Sequence, residues 1–159
     1  MVDAHSNSNS LAIKADMLIK KHAFGSGVFG YVPFPILDAL GILAVQRRML
    51  SRLARLYRVP YSQSLAKDLL RTLAGGIATR ATIPVAMKII PGIGVLFGST
   101  GMAAIGSAST YAVGKIFQRH FEEGGTLEDF NAEQSKEDFE TELKAGLKLS
   151  QVKKKKPRH

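Results

Sequence analysis

The longest uncharged segment of the chain is IIPGIGVLFGSTGMAAIGSASTYAVG, residues 89–114, which holds no Asp, Glu, Lys, Arg or His in 26 residues. Because roughly 20 apolar residues cross a bilayer core, a segment of this length raises the question of a membrane first. Six glycines and many Ala, Ser and Thr residues make it less apolar than a lipid-facing span. The segment therefore constrains location and architecture more than activity.

The composition narrows the class of protein. A chain of 159 residues fits one domain with tails, and its net charge of +9 favours acidic partners such as anionic lipid, nucleic acid or an acidic protein surface. The absence of cysteine excludes disulfides, thiolate catalysis and thiolate metal sites. The polar start MVDAHSNSNS does not resemble a secretory signal.

Proline and glycine punctuation predicts an all-α fold of two helical hairpins forming a four-helix domain, with a short C-terminal amphipathic helix and a basic tail. The first hairpin turns at YVPFP and the second at IIPGIG, since proline removes a backbone donor and disfavours helix before it. Pro35 is suited to be the first residue of a helix over about 35–58. Ser62 is the expected N-cap of the next helix, and Gly124–Gly125 the expected end of the fourth.

The predicted boundaries divide the chain into four parts. Residues 1–9 read as a disordered arm, and residues 10–130 as the helical domain, whose first helix has the apolar positions Leu11, Met17 and Leu18. Residues 131–150 read as an amphipathic helix, marginal and mostly exposed, with Phe139 and two leucines spaced by four. Residues 151–159 form the basic tail.

Small residues repeat every four or eight positions in the uncharged segment. Such rows let helix backbones approach closely inside a membrane or an oligomer, although a tightly packed soluble helix pair would use them equally. The residues assigned to membrane insertion or packing are Pro33, Phe34, Pro35, Pro91, Gly92, Gly94, Gly98, Gly106 and Gly114.

Charged residues form a second candidate set, for contact with headgroups or a partner: Asp38, Arg47, Arg48, Arg52, Arg55, Lys153, Lys154, Lys155 and Lys156. Asp38 lies among apolar residues, where a carboxylate is either a first-turn partner of the helix dipole or a functional group. The lysine tail suits phospholipid headgroups, or simply solvent. Nucleic acid is disfavoured because no aromatic residues are interleaved with the cations.

No catalytic constellation is recognisable. Gly25, Gly27 and Gly30 match GxGxxG, but a dinucleotide site needs a preceding strand and a following helix, and prolines interrupt the latter. His120 with Glu122 and Glu123 does not define a metal site. We therefore expect a non-enzymatic protein with no cofactor and no metal.

Charge counts favour re-entrant hairpins over two full spans. The middle of the chain, 47–88, has nine Lys and Arg, and the part after Gly114 has ten, so two spans would place strongly basic segments on opposite sides of the membrane. Two hairpins that enter and leave on one face keep them together. This predicts the cytoplasmic face of a membrane.

The segments PFPILDALGILAVQRRMLSRLARLYRV and IPGIGVLFGSTGMAAIGSASTYAVGKIFQRHFEEGGTLEDF resemble the YcjF-like domain of unknown function that accompanies GTPases. The likeness covers about 11–130 and rests on Pro33 or Pro35, Asp38, Gln46, Met49, Tyr111, Gly114, Gly124 and Gly125. The resemblance implies bacterial inner-membrane association and a functional link to a GTPase, here acting in trans.

Together these features predict a membrane-associated scaffold or adaptor, a homo-oligomer that inserts its apolar hairpin tips and binds anionic headgroups, with a GTPase as a further partner. The alternative is a soluble structural protein that builds an assembly or shell through the same tips.

Overall fold

The computed structural model describes the backbone of residues 2–26, 35–80 and 99–154, and the side chains of residues 7–26, 40–73 and 103–149. These ranges form five helices and no strand, which confirms the all-α class. The helices are α1 (Val2–Ser26), α2 (Pro35–Tyr57), α3 (Gln63–Arg80), α4 (Ser99–Glu122) and α5 (Lys136–Lys154).

Local chemistry sets the boundary between α2 and α3. Helix α2 begins at Pro35, as predicted, because a first-turn residue needs no backbone donor. It ends where Arg58 adopts the left-handed conformation at φ 60°, which lets the Val59 N–H donate to the Ala54 carbonyl at 2.8 Å. The Leu65 N–H then donates to the Ser62 hydroxyl at 3.4 Å, which confirms the N-cap.

Helix α4 lies at the centre of the fold. Its most extensive contact is with α5, and it also packs against α1 and α2. Helix α1 packs on α2, as expected for a first hairpin, whereas the main described neighbours of α3 are α2 and α5. The largest buried side chains come from all five helices and the α4–α5 loop: Phe117, Phe139, Ile19, Met49, Leu50, Leu53, Leu70, Leu73, Leu127 and Leu147.

Glycine allows three close approaches around α4. A Cβ at Gly114 would lie 2.7 Å from the Ile19 Cγ atoms of α1, and one at Gly106 would lie 2.8 Å from Ile42 Cδ1 of α2. On the side facing α5, a Cβ at Gly146 would lie 2.9 Å from the Ala108 Cα. Since real Cβ atoms essentially never come within 3.0 Å of such atoms, these helices could not approach as closely with larger residues.

The two ends of the chain differ from the sequence expectation. Residues 2–9 continue α1 instead of forming a disordered arm, because extending a helix that is already anchored by packing adds a hydrogen bond for each residue fixed. Helix α5 reaches Lys154, into the predicted basic tail.

The expectation of a mostly exposed C-terminal helix was wrong. Phe139, Leu143 and Leu147 of α5 are buried against the rest of the core. Their four-residue spacing was visible in the sequence, but the surface that covers them is α4, whose small residues offer a shallow face for α5.

We expect Gly114→Ala to lower the free energy of unfolding by about 1–3 kcal/mol, because the new methyl group would overlap the β-branched Ile19 side chain. Urea denaturation followed by circular dichroism measures the change. The matched control is Gly25→Ala, since no atom lies within 4 Å of its added Cβ. If Ile19 is the cause, Gly114→Ala should cost less in an Ile19→Ala background than in the wild type.

Two leucines near the end of α5 test whether this helix belongs to the core. Leu147 is 2 % exposed and Leu149 is 46 % exposed. Leu147→Ala should reduce the free energy of unfolding by about 2–5 kcal/mol, and Leu149→Ala by less than about 1 kcal/mol. Equal effects in the same denaturation assay would contradict the docked position of α5.

Candidate functional site

Arginine residues line the exposed side of α2. Arg48, Arg52 and Arg55 follow one another at spacings of four and three residues, and all three are exposed. Arg47 is half-buried, its Nε makes no hydrogen bond, and its carbonyl accepts one from the Tyr61 hydroxyl at 3.3 Å. Of the four arginines that the sequence suggests as a contact site, three form an exposed row, and the fourth, Arg47, is half-buried.

Helix α1 brings further cations to this row. The buried His22 ring of α1 hydrogen-bonds the Leu18 carbonyl through Nδ1 at 2.8 Å. Burial lowers the pKa of His22 despite that hydrogen bond, and the charges of Arg52, Lys21 and Arg48 lower it further. Lys21 of α1 and Arg48 and Arg52 of α2 are therefore close to the same imidazole. Lys14 lies near Lys21 around the axis of α1, and Arg55 continues the row of α2. We call Lys14, Lys21, Arg48, Arg52 and Arg55 the basic face.

The cations of the basic face make no ion pair with any described acid. Among the described side chains, the ion pairs use Lys20, Lys115, Arg119, His120 and Lys136 as cations, and none uses a member of the basic face. Residues 7–73 carry ten Lys and Arg against three Asp, whereas residues 103–149 carry five Lys and Arg against nine Asp and Glu. The charge is therefore segregated, and α1 to α3 hold the uncompensated positive part.

A ladder of polar side chains joins α1, α4 and α2. Asp16 pairs with Lys20 at 2.6 Å and with Lys115 at 3.6 Å. Burial raises the pKa of the Asp16 carboxyl, but the hydrogen bond and charge of Lys20 and those of Lys115 outweigh it, so the net shift is downward. The ladder continues from Lys115 to Gln118, then to Glu122 and to the Tyr57 hydroxyl. It holds three helices together, and it pairs Asp16, the acid among the described side chains of α1.

The segment HFEEGGTLEDF, which carries part of the family likeness, forms the C-terminal cap of α4 and the start of the loop that follows. Gly124 has φ +88°, and the Gly125 N–H donates to the His120 carbonyl at 2.9 Å, which confirms the predicted glycine end of the helix. His120 Nε2 lies 2.8 Å from the Thr126 carbonyl and 3.1 Å from Asp129 Oδ1. These contacts fix the loop that leads to α5.

The predicted site residues are only partly described. Gly106 and Gly114 lie at close helix contacts, Pro35 begins α2, and Asp38 lies in the first turn of α2, though its side chain is outside the described residues. Lys153 and Lys154 belong to α5, again without described side chains. The remaining predicted residues lie outside the described ranges: Pro33, Phe34, Pro91, Gly92, Gly94, Gly98, Lys155 and Lys156.

Sequence reasoning missed an exposed apolar stripe on α1. Helix α1 buries Ala15, Ile19 and Ala23, and it exposes Ile13, Met17 and Phe24. In the sequence, Met17 is one of the apolar positions that predict the helix, and these positions do not by themselves separate two faces. The four-residue spacing of Ala15, Ile19 and Ala23 was the available signal for the buried face. Two of the three are alanine, whose small side chain makes the apolar periodicity weak.

The described helices include none that is both long and apolar enough to cross a bilayer. Within the same residues, no three His, Asp or Glu side chains are grouped as a metal would require.

Fold, cap and small-residue packing define an all-α domain. Residues 5–144 match the model of a domain of unknown function, DUF697, and the chain belongs to that family. It is similar to magnetosome membrane protein 22 of Magnetospirillum gryphiswaldense, with 31% identity over 140 residues that cover 86% of this chain and 72% of the relative. No solved structure matches the chain.

The Asp129 carboxyl provides a pH test of the cap. The Thr126 backbone N–H and then the Thr126 hydroxyl lower the pKa of Asp129, because both donate to its ionised form. A lowered pKa in the folded state gives stability that is present above the unfolded-state pKa of about 3.9 and is lost as the pH falls through the folded-state value.

We therefore expect Asp129→Asn to be less stable than the wild type at pH 7, and the difference to narrow at about pH 3 as the wild-type carboxyl is protonated. Thermal unfolding at the two pH values measures it. Glu128→Gln is the control, since the described Glu128 carboxylate makes no hydrogen bond or ion pair. A gap between Asp129→Asn and wild type that stays constant with pH would contradict the assignment.

Proposed function

We propose that this chain is a non-enzymatic, membrane-associated adaptor that binds the anionic surface of a bilayer through its basic face. The observation that carries the proposal is the set of exposed cations on α1 and α2 that pair with none of the described acids. A surface of this kind is attracted to anionic headgroups, each nearby cation contributing on the order of 1 kcal/mol. The similarity to a relative named as a magnetosome membrane protein supports a membrane as the setting.

The proposal assigns different tasks to the two charged halves of the molecule. The basic face of α1 and α2 meets the headgroups, and α4 with α5, where acids outnumber cations, points away from them. Ion pairs such as Arg119 with Glu142 at 2.8 Å hold this second half together instead of offering free charge. An acidic, internally paired surface facing the cytoplasm is suited to a protein partner. The likeness to domains that accompany GTPases supports a GTPase in trans as that partner.

Charge reversal on α2 tests the lipid contact. Arg48→Glu with Arg52→Glu should weaken binding to vesicles that contain phosphatidylglycerol by about tenfold or more, because two attractions become repulsions. The matched control is Lys144→Glu with Lys148→Glu, which changes the net charge equally at the same spacing on the exposed side of α5. Cosedimentation with vesicles of phosphatidylglycerol and of phosphatidylcholine measures the binding.

Three results would count against the proposal. The two double variants could lose equal vesicle affinity, the wild type could bind phosphatidylcholine and phosphatidylglycerol vesicles equally, or the wild type could bind neither. Light scattering of the wild type without detergent addresses the alternative function. Large uniform particles that do not bind vesicles would favour a soluble homo-oligomeric assembly built through the hairpin tips. Crosslinking in cells that produce the protein would then show whether a GTPase or a second copy is its neighbour.

A further inference from the structure

We infer that α1 is an interfacial anchor, which lies flat on an anionic bilayer and places Ile13, Met17 and Phe24 at the boundary between headgroups and acyl chains. This inference rests on the proposed membrane association and adds the element, the face and the depth of contact. Interfacial helices combine a polar, cation-rich surface with a few large apolar side chains that enter the lipid.

The three apolar side chains form one narrow stripe. Ile13 is 54 %, Met17 59 % and Phe24 70 % exposed. Because successive helical residues are about 100° apart, these positions lie within roughly 40° of one another around the helix axis. The buried residues Ala15 and Ile19 lie on the opposite side of the helix, so the exposed stripe is not the face that α1 buries in the core.

Cations flank the stripe on both sides. Lys20 lies next to it on one side, and Lys14 and Lys21 lie on the other, all three exposed. The nearby acid, Asp16, is paired with Lys20 and Lys115, so it does not oppose an anionic surface. The lysine stems can cover apolar surface while their ammonium groups reach headgroups, which is how such residues behave at a membrane interface.

The position of Lys20 favours lipid over a groove in another protein. A helix that docks in a groove presents apolar anchors at positions i, i+3 or i+4, and i+7. Counted from Ile13, Met17 is at i+4, but the i+7 position is Lys20. A groove would have to bury that lysine, whereas at a bilayer its side chain can extend to the headgroups.

Lys21 connects the stripe with the basic face, because it lies about 40° from Met17 around the helix axis. Lys21 also acts on the buried His22 together with Arg48 and Arg52 of α2, so these arginines lie close to this part of α1. Electrostatic attraction brings the molecule to the membrane, and the three apolar side chains then keep it there.

A single tryptophan reports on the contact directly, because the natural chain contains none. In Met17→Trp, binding to phosphatidylglycerol vesicles should shift the emission to shorter wavelength, and lipids brominated near the start of the acyl chain should quench it. The matched control is Leu149→Trp, at an exposed leucine of α5, whose emission should stay that of a solvated indole.

The affinity test uses Ile13→Ser with Met17→Ser. Losing two apolar side chains from the lipid boundary should lower vesicle affinity by about tenfold, and Leu149→Ser should leave it unchanged. Both changes are at exposed positions, and circular dichroism checks that each variant remains helical.

The outcomes separate this inference from the proposed function. If the wild type binds anionic vesicles while Met17→Trp emission stays unshifted and unquenched, the anchor is wrong and the membrane adaptor stands. A blue shift that brominated lipid does not quench would overturn the anchor in favour of a protein contact, such as a second copy. Absence of binding to any vesicle would overturn the proposed function itself.

Discussion

The close packing of α4 against its neighbours is the constraint on which the other elements depend. Gly114 admits Ile19 of α1, Gly106 admits Ile42 of α2, and Gly146 of α5 lies on Ala108. With small residues on both sides, α4 is contacted by three helices, and the larger core residues fill the remaining space. Interiors are packed as densely as organic crystals, so even one added methyl group at such a contact displaces a helix. Two members of the row of small residues that suggested membrane packing, Gly106 and Gly114, therefore make close helix contacts within the chain itself.

Charge is organised around this packed centre. Acids concentrate in α4, α5 and the loop between them, where they pair with Arg119, His120 and Lys136. The cations of α1 and α2 are left without such partners among the described residues, because few acids exist in that part of the chain. This distribution makes the surface of α1 and α2 attractive to anions. Exposed ion pairs contribute little to stability individually, so the uneven distribution of charge matters for binding and not for folding.

The residues that carry the family likeness act mostly in architecture. Gly114 is a helix contact, Gly124 and Gly125 end α4, and Met49 is buried in the core. Gln46 donates to the Ser109 hydroxyl at 3.1 Å and so ties α2 to α4 across a largely buried region. A family defined by such positions shares a scaffold. Surfaces such as the basic face and the stripe on α1 are where the individual function of this member is to be sought.

Sequence alone determined what depends on a few neighbouring residues. The all-α class, the start of α2 at Pro35, the N-cap at Ser62 and the glycine end of α4 were predicted because each follows from local backbone chemistry. Only the tertiary structure decided which faces are covered. Helix α1 has apolar residues on two opposite sides, and only one of these sides is buried. Helix α5 has an apolar face that the sequence predicts to be exposed, and α4 covers it. Burial depends on the partner surface that the rest of the chain provides, and periodicity within one helix does not contain that information.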